Sequence, residues 1–243
     1  MSNEKKHESD AAYGSFHRRV LEGTSALFAI LTTVAISIGA VVEIIPMYTA
    51  SSLAWERADW VTPYTPLEVA GRDIYIREGC YLCHSQMVRP MRAEVLRYGE
   101  WSHSAEYQYD RPFLLGSRRL GPDLHRVGGK YPDAWHYEHM RDPRSTSPGS
   151  VMPVYAWLLE WKIDPADVGA SVRALAKVGT PYDATDDASV AASLEAQGAT
   201  IVGNLATTGI TAEWDDEIVA MIAYLQRLGV DYRNHMAAEG GEE

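Results

Sequence analysis

The chain has 243 residues and an aromatic content of 10%, enough for one large domain or a domain with appendages. Charge is uneven: residues 1–85 carry a net −3, residues 86–144 a net +2 and residues 145–243 a net −10. An acidic tail-half beside a slightly basic middle argues against nucleic acid and suits docking on a basic protein or solubility alone.

Residues 1–22 are polar, with Lys5, Lys6, Arg18 and Arg19, and read as a cytoplasmic N-terminal segment. No charge appears from Gly23 to Val42, and residues 23–46 read as a transmembrane helix, since about 20 apolar residues cross a hydrocarbon core. A cleavable signal has a shorter apolar region. Ala50-Ser51-Ser52-Leu53-Ala54 mimics its cleavage site, but the length favours an anchor. Basic residues precede the span and Glu43, Glu56 and Asp59 follow it, which puts the N-terminus in the cytoplasm. Glu43 is read as reaching the headgroup layer, with Pro46 ending the helix.

Residues 47–64 read as a linker and residues 65–235 as the extramembrane domain, with 236–243 a disordered tail. Thr65-Pro66-Leu67-Glu68 is a capping box with proline at the first helical position, and Leu67, Ala70 and Ile74 share a face of the helix that follows. Residues 86–150 are rich in Gly, Pro, Arg and aromatics and read as loops, with one helix over Trp135–Arg141. Asp164-Pro165 starts another helix within an acidic insert at about 160–210, where residues 186–204 look weakly helical. Trp214, Ile218, Met221, Ile222, Leu225 and Leu228 mark one face of an amphipathic helix stopped by Gly229. No repeat and no convincing strand is apparent.

Both cysteines lie in Cys80-Tyr81-Leu82-Cys83-His84, the attachment signature of c-type haem, which leaves no disulfide framework. Two thiols that add to two vinyl groups of one porphyrin must share one turn of chain, and the adjacent histidine then lies under the iron. A thiol redox pair would want a βαβ context. A zinc site would need two more ligands, drawn from His125, His136 and His139. The fold class that follows is mainly α: one transmembrane helix, then a c-type cytochrome domain with long loops and an extra helical insert.

The sixth iron position is open at this level. A methionine suits an electron carrier, and an open site suits gas binding or catalysis. Met87 and Met91 follow the motif too closely to reach the opposite haem face, Met221 lies on the buried stripe, and Met140 sits on a helix. Met152 stands in a loop before Pro153, and His125 is the main histidine competitor. In c-type cytochromes a proline carbonyl usually takes the ligand histidine's second N–H. Pro122, in Leu120-Gly121-Pro122-Asp123-Leu124, fits that place and would orient His84. Arginines cluster in this segment and match carboxylates with a bidentate fork; Arg126 is a candidate propionate contact.

The run from Arg72 through the haem motif to Ser85-Gln86-Met87-Val88-Arg89-Pro90 resembles the mono-haem cytochrome subunit (FixO/CcoO) of cbb3-type cytochrome c oxidases. The resemblance continues in Gly121-Pro122-Asp123-Leu124 with Arg126-Val127-Gly128-Gly129, in Arg141-Asp142-Pro143-Arg144, and in Met152-Pro153-Val154-Tyr155-Ala156-Trp157-Leu158. Ala156 stands where the family commonly has proline, which is expected to loosen that loop. The resemblance implies His84 and Met152 as axial iron ligands and one haem c bound covalently to Cys80 and Cys83. It implies a single-pass protein of the bacterial inner membrane with a periplasmic haem domain. Electrons would come from soluble cytochrome c through a di-haem cytochrome c subunit and leave toward a haem–copper catalytic subunit. Oxygen reduction would occur there, so this chain would be a non-catalytic part of an enzyme complex. The rivals are the anchored cytochrome of a nitric oxide reductase, whose chains are much shorter, and a stand-alone haem c sensor or peroxidase-like protein.

Overall fold

The computed structural model describes residues 23–49 and 58–239. They belong to two compact units, Met1–Trp55 and Glu56–Glu243. The N-terminal polar segment, the cleavage-site mimic at 50–54 and residues 240–243 lie outside the described residues.

In the first unit, α1 spans Ser25–Thr49. Its stretch Ser25–Met47, 23 residues long, is apolar enough to cross a membrane, and none of it is buried in protein. At 1.5 Å per residue that is about 35 Å of helix. The helix does not end at Pro46, as the sequence suggested, but runs on to Thr49. A proline this near a C-terminus gives up only its own bond to the residue four before it. Thr49 Oγ1 donates to the Ile45 carbonyl at 2.9 Å in that last turn.

The second unit is built on two helices that cross, α2 (Pro66–Arg77) near its start and α8 (Glu217–Arg227) near its end. The capping box at the start of α2 is formed: Glu68 N donates to Thr65 Oγ1, and Thr65 N donates to Glu68 Oε2 at 2.8 Å. Glycine is required where the helices meet. A Cβ on Gly71 would lie 2.0 Å from the Ala220 carbonyl oxygen and 2.7 Å from Tyr224 Cβ. The close approach brings the rings of Tyr75 and Tyr224 to 5.3 Å. The hydrophobic stripe expected on α8 understates the outcome, because every residue from Glu217 to Leu225 is buried. Helix α2, the helices Asp133–Arg141 and Asp187–Ala206 and the turn Ala156–Leu159 all pack on α8, so no face is left for water.

The acidic insert contributes α6 (Pro165–Lys177) and α7 (Asp187–Ala206). The weak helix expected at 186–204 is a 20-residue helix whose N-cap, Asp186, accepts from Ser189 N at 2.9 Å. It buries Val190, Leu194, Ile201 and Leu205, while Gly198 admits the backbone of Trp214. Fully buried Leu67, Leu158, Leu194 and Leu205 each add about 2 kcal/mol of apolar burial. Gln197 reaches back to Thr65 Oγ1 at 2.6 Å, so the insert is a wall of the main core.

Between α2 and α6 the chain is mostly ordered loop, carrying α3 (Arg92–Tyr98), α4 (Asp133–Arg141), α5 (Pro143–Thr146) and short 3-10 turns. Among the described residues there is no β-strand, only an isolated antiparallel bridge between Lys162 and Asp216. Residues 58–64, read from sequence as linker, pack on the domain. Ala58 and Val61 are buried with Ala105, and Gln108 Nε2 donates to the Ala58 carbonyl at 2.8 Å. Likewise the end of the chain, expected to fray from 236, is helical to Glu239 in α9 (Val230–Glu239). Asp231 in that helix accepts from Thr62 N at 2.8 Å.

Candidate haem site

Helix α2 delivers the motif. It ends at Arg77, Gly79 takes a left-handed conformation (φ 70°), and residues Cys80–Leu82 form a 3-10 turn. Glycine tolerates that φ without a Cβ clash. His84 N donates to the Cys80 carbonyl at 2.9 Å, which folds the five residues into one compact loop. Cys80, Cys83 and His84 thereby line one cavity of about 580 Å³. Both thiols are free; Cys80 is buried and Cys83 half-buried. Burial, aided by the Glu78 charge, pushes the Cys80 thiol up to about 12.

His84 is oriented from behind. Its Nδ1 lies 2.9 Å from the Pro122 carbonyl oxygen, so the neutral ring donates its Nδ1 proton there and leaves the Nε2 lone pair free. Burial lowers the pKa of His84, and the Pro122 contact opposes that only in part. The ring is pressed against Gly121, where a Cβ would come within 2.2 Å of His84 Cε1.

The loop bearing Pro122 is held by a carboxylate that the sequence reading passed over. Asp123 is buried and accepts from Ser85 Oγ at 2.7 Å, Met87 N at 2.9 Å and His125 N at 2.9 Å. Arg119 adds a second clamp, donating to Ser85 Oγ at 2.7 Å and the Met87 carbonyl at 2.8 Å while paired with Glu94. The backbone does the same: Gly121 N donates to the Cys83 carbonyl and Leu124 N to the Ser85 carbonyl. Gly-Pro-Asp reads as a turn in sequence. Its aspartate fastens that turn to the strand of chain following His84.

Met152 lines the same cavity from the loop after α5. Its N–H donates to Ser150 Oγ at 3.2 Å, and Tyr155 N ties the loop to the Met140 carbonyl at 2.9 Å. Ala156 opens a 3-10 turn that fully buries Leu158, which anchors the loop despite the missing proline. Of the other sulfur candidates only Met140 borders the cavity; Met221 is in the core and Met91 is exposed. His125 does not line the cavity. It is buried against Glu106, with Nε2 3.1 Å from the carboxylate.

Arg126 is not brought to the cavity. Its guanidinium is paired with Glu106, donates to the Glu100 and Trp101 carbonyls, and stacks over Tyr232 at 4.4 Å. Burial opposes the charge on Glu106, but bonds from Arg126 and His125 prevail and hold its carboxyl at about 2. A fork that matches a propionate matches this buried carboxylate equally well, and Glu106 is the nearer partner. Among the described residues no group of three or more His, Cys, Asp or Glu is placed to hold a metal ion, so the cysteines gain no zinc partners.

The residues present fit a c-type haem. The cavity presents two thiols, an imidazole with a free Nε2 and a thioether, in an otherwise largely apolar lining that includes Leu124, Val127 and Leu225. Gly121 leaves the His84 ring room to stand as a ligand rather than fold into a side-chain core. One buried nitrogen at the cavity, His136 Nε2, makes no hydrogen bond within the protein, an arrangement that costs about 1–3 kcal/mol unless another group meets it.

No curated protein matches the chain. It does match a protein family described as cytochrome C oxidase, mono-heme subunit/FixO, over residues 18–232, which takes in the end of the N-terminal segment, the apolar span, the haem motif, the insert and α8. With nearly the whole length covered, the chain belongs to the FixO family of mono-haem subunits of cytochrome c oxidase.

Proposed function

We propose that this chain is the electron-relay subunit of a cbb3-type oxidase, with one haem c joined covalently to Cys80 and Cys83. The observation that carries this reading is the convergence of Cys80, Cys83, His84 and Met152 on one cavity, with Pro122 behind the histidine. His84, through Nε2, and Met152, through Sδ, would hold the iron. Bound there, the haem supplies a one-electron iron couple with a potential raised by the thioether.

The protein's own part is to hold that couple still. Pro122 fixes the imidazole's orientation and basicity. Asp123 and Arg119 keep the Pro122 loop against residues 85–87, so the histidine does not tilt between oxidation states. The apolar lining excludes water, which keeps charge movement within the site small. Helix α1 anchors the domain in the inner membrane with its N-terminus cytoplasmic, as the flanking charges favour. Donor electrons come from soluble cytochrome c through a di-haem cytochrome c subunit, and the acceptor is the haem–copper catalytic subunit. The chain itself catalyses nothing.

Purification from native membranes in mild detergent tests this. The expected result is a complex with a large multi-span haem–copper subunit, and a c-type pyridine haemochrome in the band of this chain. Met152→Leu should abolish the near-infrared methionine-to-iron charge-transfer band and open the reduced haem to carbon monoxide. Recovery of the chain alone, or a haem that is not covalently held, sinks the reading.

A further inference from the structure

A haem has only two polar groups on its rim, the propionate carboxylates; the remaining periphery is hydrocarbon or thioether sulfur. Among the described residues that line the cavity there is no lysine or arginine to receive them. Arg126, the arginine that the sequence pointed to, is already engaged by Glu106. Among the described residues, two lining side chains carry a buried polar atom without a hydrogen-bond partner, the Tyr75 hydroxyl and His136 Nε2, and of these only His136 presents a nitrogen. It is 1% exposed, borders the cavity from the middle of α4, and its Nε2 is buried without a hydrogen-bond partner.

Its neighbours do not supply one. The rings of Tyr131 and Trp135 meet the imidazole edge-on, at 84° and 89°. Nor can the helix turn to bring the nitrogen to water. Asp133 is held by Asn204 at 2.8 Å and Gln226 at 2.6 Å, and the Met140 carbonyl by Tyr155 N. Burial keeps the ring neutral, with its pKa lowered to about 4, so it carries a single N–H.

We propose that His136 is a haem-binding residue that donates its Nε2 proton to one propionate carboxylate. A neutral N–H meeting a carboxylate away from water forms a charge-assisted bond, stronger than an ordinary one. The bond would satisfy the orphan nitrogen, fix the rotation of the haem about its thioether edge, and offset some of the propionate's negative charge near the iron. That offset favours the ferrous state, so losing it lowers the potential.

The proposal rests on the haem reading above and is tested on the intact oxidase complex. A cryo-EM map of the unmutated complex should place His136 Nε2 within about 3.2 Å of a propionate oxygen. A separation beyond about 4 Å overturns the proposal, whatever becomes of any variant. In His136→Phe the c-haem potential should fall, with the reduction equilibrium against a fixed donor dropping about three- to ten-fold. The carboxylate band in redox-difference infrared spectra, identified with haem carrying 13C propionates, should shift as well. His136→Gln, which keeps an N–H, should restore both. An unchanged band and potential in His136→Phe overturn the assignment. An unmutated haem that lacks the methionine charge-transfer band fails the Met152 reading above and is distinguished in that way from a failure at His136. A chain that holds no c-type haem fails the earlier reading instead, and that is seen before any variant is made.

Discussion

The helical frame and the loop segment between α2 and α6 are held by different forces. In the frame, α2, α6, α7 and α8 bury aliphatic faces against one another, and its tightest point, Gly71 on Ala220, is a matter of shape. In the loop segment the ties are polar. Among the described residues, seven of the twelve buried polar or charged side chains fall between Ser85 and His136. Loops cannot bury a continuous apolar face, so they are fixed by carboxylates that collect backbone and arginine donors. The lesson is a division of labour: shape gives the unit its stability, and directed bonds give the site its geometry.

The division can be broken where it is most exposed. Gly71→Ala puts a methyl into the Ala220 carbonyl and should cost about 3 kcal/mol or more, with little change in the haem spectrum of whatever folds. Thermal melting of the detergent-solubilised holoprotein should show it as a drop of about 6–12 °C. A normal melt with a perturbed haem would refute the division. Glu106→Gln probes the polar side. The folded carboxyl sits at about 2 against 4.5 in its ordinary state, so it binds its proton less readily folded than unfolded. Its contribution is therefore full above pH 4.5 and lost as pH falls toward 2, with a ceiling of about 3 kcal/mol. Acid unfolding of the variant should be flatter across that window, and an identical acid limb would show the pair to be idle. Gly121→Ala sharpens the contrast. It should cost only about 1 kcal/mol of stability, yet displace the His84 ring and shift the haem's absorption and potential. A large loss of stability with an unmoved haem would mean that Gly121 serves the frame.

Much of the frame was legible because its signals are local. The capping box at Thr65, the proline start at Asp164-Pro165 and the stripe on α8 each follow from near neighbours in the chain. The extent of burial was not legible: α8 is covered all round because α2, far back in the sequence, crosses it while α4 and α7 pack on its other sides. The alanine-rich composition of α7 looked weak for want of large side chains, but small residues are what allow Trp214 to approach Gly198. For the site, the spacing of Cys80, Cys83 and His84 needs one turn of chain and could be read directly. Pro122 was readable from what c-type cytochromes usually place behind the ligand histidine, since Gly-Pro-Asp alone signals only a turn. Asp123, Arg119 and Glu94 were not, since their partners lie elsewhere in the loops and nothing in their spacing says so. Arg126 shows the converse failure: an arginine near a haem motif is a reasonable propionate partner until a buried glutamate proves nearer.

The crossing of α2 on α8 also sets an order of events. Arg77 at the end of α2 pairs with Glu217, 140 residues further on, at 2.8 Å. A chain emerging N-terminus first presents Cys80 and Cys83 long before α8, whose Leu225 lines the same cavity, exists. Once closed, Cys80 is 9% exposed and its thiol holds its proton up to about 12, which makes it a poor nucleophile. Closing the domain withdraws the Cys80 thiol, so the open chain is the form in which its proposed thioether bond is the easier to make.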